Sequence, residues 1–414
     1  MKKLVALLLA LTLCIGLCAC GATAEKPAEE TPATTGETET PATDAKDIKV
    51  GFIFLHDENS TYDLNFINAA KAAAAELGLS DDQIMMKTNI AESQACYDAA
   101  AELVDAGCDL VITDSFGHES FALAAAKEFP EVQFVSCTGV KAHTEGLSNF
   151  HNAFASIYEG RYLAGVAAGL KLNEMIENGD ITAEEAKMGY VGAYPYAEVK
   201  SGYTSFFLGA RSICPSVTME VTFTSSWYDE ALEKEAANKL INNGCVLISQ
   251  HADSMGAPTA CETAGVPNVS YNGSTVAACP NTFIVSSRID WTPFFVYAIN
   301  CVTAGEDIGY DWTGTLATGS VVLAEVNEAA AAAGTADKIA EVMKSLEDGS
   351  LKVFDTATFT VNGETLTTYL ADVDDLGDYV GETEAISDGV FLESFYRSAP
   401  YFDLDIDGIT NLDA

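Results

Sequence analysis

The residue types best suited to gripping a small molecule fall in a few short runs. They are Ser115-Phe116-Gly117, Tyr194-Pro195-Tyr196, Ser225-Ser226-Trp227-Tyr228, Gln250-His251-Ala252-Asp253-Ser254 and Tyr271-Asn272-Gly273, with His56 to Tyr62 and Thr138-Gly139 beside them. Aromatic faces stack on flat rings, and a few carboxylates and amides fix the N–H and O–H groups of what is stacked. A flat heteroaromatic or a sugar would be served equally by this set. Turnover has no comparable support. The chain has no Gly-x-Ser-x-Gly elbow, and Asp57 and Asp63 are too isolated to form a hydrolase's calcium-binding aspartate cluster. The five histidines are scattered and no cysteine pair has zinc-ribbon spacing, so neither metal nor cofactor is expected. Asp403-Leu404-Asp405-Ile406-Asp407-Gly408 opens like a calcium loop, but Ala414 stands where the bidentate Glu belongs. These residues read as a binding site and the protein as no enzyme.

Such runs need elements to hold them, and an internal repeat at an offset of about 137 residues supplies these. Lys49-Val50-Gly51-Phe52-Ile53-Phe54 matches Lys187-Met188-Gly189-Tyr190-Val191-Gly192, and the stretch from Leu103 to Ile112 matches that from Leu240 to Ser249. Both copies then reach an Asp-Ser pair, Asp114-Ser115 and Asp253-Ser254. Each copy reads as four strands alternating with helices, the helices marked by apolar spacings of three and four. Alternation of this kind predicts parallel sheets with helices on both faces. Ligands of such sheets bind beyond the carboxyl ends of the strands. Two copies would therefore set two such edges face to face across a cleft, an α/β clamshell of two Rossmann-like lobes joined by a hinge. The candidate ligand residues are those just after the strands: Tyr62, Ser115, Phe116, Tyr194, Trp227, Gln250, Asp253 and Asn272, with Trp291 closing the cleft or merely beginning a helix. Asp253 could instead cap the helix that follows it. The expected lobes are residues 48–152 plus about 274–320, and 153–273 plus about 321–414.

The beginning of the chain argues for export. Lys2 and Lys3 precede an apolar run from Leu4 to about Leu17, too short for a comfortable membrane span, and Leu17-Cys18-Ala19-Cys20 has the form of a lipobox. Residues 1–20 read as a lipoprotein signal peptide, with Cys20 the lipidated residue, and 21–47 as a disordered Glu/Thr/Pro/Ala-rich tether. The expected place is the extracytoplasmic face of the cell membrane, held there by the lipid alone. The remaining length, about 365 residues, exceeds what one core usually serves. A formal charge of −40 leaves nucleic acid without a basic patch to meet its phosphates. Eight body cysteines could pair outside the cell, but several sit in apolar runs, where a free thiol acts as a small hydrophobe.

The same residues carry a family resemblance. Ser115-Phe116-Gly117, Tyr158-Glu159-Gly160-Arg161-Tyr162, Ser226-Trp227-Tyr228-Asp229 and Gln250-His251-Ala252-Asp253-Ser254 resemble the basic membrane protein family of ABC-transporter substrate-binding lipoproteins. The likeness runs from about Ile48 onward. It implies a type I periplasmic-binding-protein fold, import rather than chemistry, a purine nucleoside or nucleobase as ligand and an ABC permease as partner. A monomer is expected, because a clamshell presents different lobe tips to a two-part permease. In that comparison Phe116 and Trp227 stack on the base from opposite lobes and Asp253 accepts base N–H or ribose O–H groups. A sugar receptor of the same fold, or a sensor feeding a membrane signalling protein, remains open at this point.

Overall fold

The computed structural model describes residues 48–374 and 380–413; the signal segment, the tether and Cys20 lie outside them. The first lobe runs β1 (Val50–Ile53), α1 (Thr61–Leu77), β2 (Ile84–Lys87), α2 (Gln94–Asp105), β3 (Leu110–Thr113), α3 (Glu119–Glu128), β4 (Gln133–Cys137), α4 (Ala142–Glu145) and β5 (Phe150–Ala155). The chain crosses over through α5 (Ile157–Asn178). The second lobe then runs β6 (Lys187–Gly192), α6 (Ala197–Ile213), β7 (Thr218–Phe223), α7 (Glu230–Asn242), β8 (Leu247–His251), α8 (Gly256–Ala264), β9 (Asn268–Tyr271) and β10 (Phe283–Ile289). After these come α9 (Thr292–Ala304), β11 (Asp311–Gly314), β12 (Val321–Leu323) and α10 (Thr335–Glu347). Two short ribbons, β13 (Leu370–Ala371) with β14 (Thr383–Glu384) and β15 (Ile386–Ser387) with β16 (Val390–Phe391), precede β17 (Ile409–Asn411).

The duplication is plain in the sheets. One has the order β11-β5-β4-β3-β1-β2, the other β12-β10-β9-β8-β6-β7-β17, so 5-4-3-1-2 is repeated as 10-9-8-6-7. All five strands of each copy are parallel. Local details repeat with them. Gly51 and Gly189 leave no room for a Cβ against Leu103 and Leu240, the leucines that the repeat pairs. Gly107 and Gly244 both turn at φ +87° before β3 and before β8, a conformation that suits glycine.

One boundary is corrected. Residues 274–320 were assigned to the first lobe, yet Phe283–Ile289 is a strand of the second sheet, pairing in parallel with β9. A repeat traced over four strands per copy misses the fifth, because the polar run Val285-Ser286-Ser287-Arg288 lacks the apolar look of its mate β5. β5 itself extends three residues past the expected boundary, to Ala155.

Three links cross between the sheets, after β5, after β10 and after β11, and they are tied to one another. Ser156 N–H donates to the Gly314 carbonyl at 2.7 Å, Asp290 N–H to the Ser320 carbonyl at 2.7 Å, and Leu316 N–H to Glu159 Oε2 at 2.9 Å. Arg161, fully buried one turn further along α5, donates to Ser249 Oγ at 2.7 Å and to the Ser270 carbonyl at 3.2 Å. The Phe206 and Tyr271 rings lie 5.0 and 5.2 Å from its guanidinium carbon. These contacts give Glu159 and Arg161 a positioning role at the hinge. The eight cysteines of the described body are all unpaired and buried. Among the described residues no helix is long and apolar enough to cross a membrane.

Candidate functional site

The carboxyl ends of both sheets open onto one cleft. The first lobe contributes Leu55, His56, Tyr62, Asp63, Ser115, Phe116 and Thr138; the second contributes Glu198, Trp227, His251, Asp253 and Tyr271. Local chemistry places each. Ser60 caps α1 by accepting from Asp63 N–H, and the Asp63 carboxylate in turn accepts His56 N–H at 2.7 Å, which folds the loop after β1 over the site. Burial pushes the Asp63 carboxyl up, but hydrogen bonds from His56, Asp114 and Ser60 outweigh this and hold it below its usual range. Tyr62 spends its hydroxyl on the Asp114 carbonyl at 2.7 Å and turns its ring to the cleft. Ser115 Oγ and Gly117 N–H both bind Glu92 Oε1, which fixes the turn that presents Phe116. The Phe116 ring remains 38% exposed, as a stacking surface must.

In the second lobe Trp227 rests edge-on against Tyr194, centroids 5.1 Å apart, and its carbonyl accepts Asp253 N–H at 3.0 Å. Asn272, at φ +64°, donates to Asp253 Oδ1 at 3.1 Å. Glu233 accepts Ser254 N–H at 3.2 Å, so the loop carrying Asp253 is held from both sides. Burial, then the charges of Asp63, Glu233 and Glu198, push the Asp253 carboxyl well above its usual range. Glu198 faces His251 Nε2 at 3.4 Å, and burial keeps that imidazole neutral by pushing it down. The lobes already touch across the cleft. Thr61 N–H donates to the Asp253 carbonyl at 3.2 Å, Asn65 Nδ2 to the Asn272 carbonyl at 3.1 Å, and Phe116 meets Tyr196 with centroids 5.6 Å apart. Aromatic walls from both lobes with acceptors between them can stack and hydrogen-bond a planar ligand. The arrangement holds no nucleophile paired with a base that is itself oriented by a third group.

Comparison with known proteins decides the family. Residues 53–351 match the profile of the Bmp family, described as ABC transporter substrate-binding protein PnrA-like. The chain belongs to the Bmp family. A purine-binding protein of Brucella abortus is 31% identical over 261 residues, covering 62% of this chain and 69% of that one. A putative ABC transporter glucose-binding protein of Haloferax volcanii is 31% identical over 217 residues, covering 52% of each. Among solved structures, an ABC transporter solute-binding protein of Conexibacter woesei superposes with a TM-score of 0.59 at 20% identity, over 74% of this chain and 98% of that one. That likeness, with the two parallel sheets, shows the type I periplasmic-binding-protein fold. Bmp proteins are solute-binding components of ABC transporters, which act outside the cytoplasm and present a small molecule to a permease.

Within this Bmp protein the expected residues divide. Tyr62, Ser115, Phe116, Trp227 and Asp253 line the cleft. Tyr194 stands behind it, stacked on Tyr196 at 5.0 Å and buttressing Trp227. Gln250 is buried and does not line the cleft; its amide donates to the Ala252 and Ser254 carbonyls at 3.2 and 3.3 Å, and its Oε1 has no hydrogen-bond partner. Asn272 acts through Asp253. The Asp253 carboxylate takes that amide instead of capping α8; Ser254 Oγ accepts Gly256 N–H at 3.0 Å in its place. Trp291 is corrected: it is 1% exposed, stacks on Phe66 at 4.4 Å in the core at the start of α9 and is not among the residues that line the cleft. His56, Thr138, His251 and Tyr271, which stand in the runs that the sequence singles out, line the cleft too, and Asp63 and Glu198 line it from outside those runs. His251 and Tyr271 are the last residues of β8 and β9, the rank that the strand-end rule points to. Glu198, in the first turn of α6, gave no signal of its own.

Proposed function

We propose that this Bmp protein is the receptor of an ABC importer for a purine nucleobase or nucleoside, held at the extracytoplasmic face of the membrane as a monomer through a lipid on Cys20. The observation that carries the ligand reading is the cleft itself. Phe116 from the first lobe and Trp227 from the second both line it, together with the Asp253 carboxyl group, which takes the Asn272 amide at 3.1 Å. Aromatic rings from both lobes with a hydrogen-bonding carboxyl group beside them suit a flat base bearing N–H groups. The purine-binding relative from Brucella abortus adds weight to that class. The glucose-binding relative keeps a sugar as the competing ligand.

A thermal-shift panel of purine and pyrimidine bases, their nucleosides, sugars and amino acids tests the reading on the purified protein. A ligand at about 100 times its Kd adds about 2.7 kcal/mol of stability, a readily measured rise in Tm. A rise with adenine, guanine or their nucleosides supports the reading. A rise with sugars alone overturns the ligand and leaves the receptor.

A further inference from the structure

A second cavity adjoins the ligand cleft. It measures about 290 Å³ and shares Phe116, Thr138 and Glu198 with the first. Its far wall comes from Asp372, Arg397, Tyr401 and Asp403, which lie in the C-terminal segment beyond residue 351, where the family match ends. That segment is built into the body. β17 pairs with β7, Ser398 Oγ donates to Asp311 Oδ1 at 2.7 Å in the first lobe, and Glu393 accepts Ser201 Oγ in the second.

Thr138 stands at the junction of the two cavities. It is 3% exposed, its Oγ1 has no hydrogen-bond partner, and its backbone sits at φ +66°, a costly conformation for a β-branched residue. Asn272 occupies the corresponding place in the other lobe at φ +64°, and there the side chain positions Asp253. A strained residue that lines both cavities and carries a buried, unpartnered hydroxyl is set out for something that enters them.

The ionisable groups along the two cavities are mostly acids. Asp63, Glu198, Asp372 and Asp403 line these cavities, Arg397 stands among them and donates to the Ala399, Val373 and Pro400 carbonyls at 3.2–3.3 Å, and Lys200 Nζ donates to the Asp403 carbonyl at 2.9 Å. Carboxylates gathered along a concave surface repel an anion and draw a cation.

We infer that the C-terminal segment makes this a two-chamber receptor, whose outer chamber takes an amine-bearing extension of the ring-bound ligand past Thr138 and rejects a phosphate-bearing one. This rests on the reading that a purine ring occupies the inner cleft. The test is calorimetric titration of the purified full-length protein, at pH 7 and low salt, with two matched sets. Each holds the base, the nucleoside, the 5′-amino-5′-deoxynucleoside and the nucleoside 5′-monophosphate, one set built on adenine and one on guanine.

In the set that binds, the 5′-amino compound should bind at least about tenfold tighter than the 5′-monophosphate, and the gap should shrink in high salt. Asp403→Asn should narrow the gap by at least about threefold, and Thr138→Val should weaken the 5′-amino compound more than the bare base. A 5′-monophosphate that binds as well as the 5′-amino compound, while base and nucleoside bind, overturns this inference alone. Silence from both complete sets overturns the purine reading and this inference with it.

Discussion

At the residue scale the site is an arrangement of rings braced from behind. Trp227 leans on Tyr194, which stacks on Tyr196, so its indole is held at the cleft with little freedom to lose on binding. Trp227→Ala should therefore weaken ligand binding at least about tenfold, since one base–aromatic stack is worth about 1–3 kcal/mol. Titration of the variant checks this, and unchanged affinity would place Trp227 outside the contact. The first-rank residues were legible because the end of a parallel strand is recognisable from its apolar run and its polar successor. Tyr62, Phe116, Trp227 and Asp253 came from that rule. Trp291 followed the same outward pattern and failed, because its side chain packs on Phe66 rather than the cleft, a tertiary choice that local sequence does not carry. Glu198 was illegible for the opposite reason: an acidic residue in the first turn of a helix satisfies the helix dipole and needs no other reason to be there.

Among the elements, α5 and α6 make the closest approach. A Cβ on Gly165 would lie 2.0 Å from the Phe206 carbonyl oxygen, and one on Gly209 would lie 2.1 Å from that of Tyr162. Gly165→Ala must then push the two helices apart, and overpacking of this kind costs about 1–3 kcal/mol. A lowered midpoint of urea unfolding with an unchanged slope is the expected result. The duplicated strand-helix order was legible because it repeats local patterns twice. The fifth strand of the second copy was not, since β10 is rich in serine and owes its place to β9 on one side and β12 on the other. The acids that fasten elements together also set a pH dependence. Burial raises the Glu233 and Glu393 carboxyls from 4.5 to about 7. Between those values the folded protein holds protons that the unfolded chain has released, so stability should fall as pH rises from about 4.5 to about 7. Thermal unfolding across that range shows it, and Glu393→Gln should flatten the profile.

For the whole molecule, closure is bounded by a small set of ties across the cleft. Asn65 Nδ2 on the Asn272 carbonyl is one of them, made by a residue that does not itself line the cleft. Asn65→Ala should favour the open form and weaken ligand binding about threefold to tenfold, the worth of one hydrogen bond of about 0.5–1.5 kcal/mol. Small-angle scattering of the unliganded variant should show a larger radius of gyration than that of the parent.

The eight buried thiols have a practical consequence. Burial raises Cys96, Cys245 and Cys261 to about 12 and Cys108 and Cys279 to about 11, which leaves almost no thiolate at neutral pH. The folded body asks nothing of an oxidising compartment, and an alkylating reagent must wait for the chain to open before it can react. The rate of cysteine labelling, followed by intact mass, is therefore a built-in clock for unfolding, and a bound ligand should slow it in proportion to its saturation.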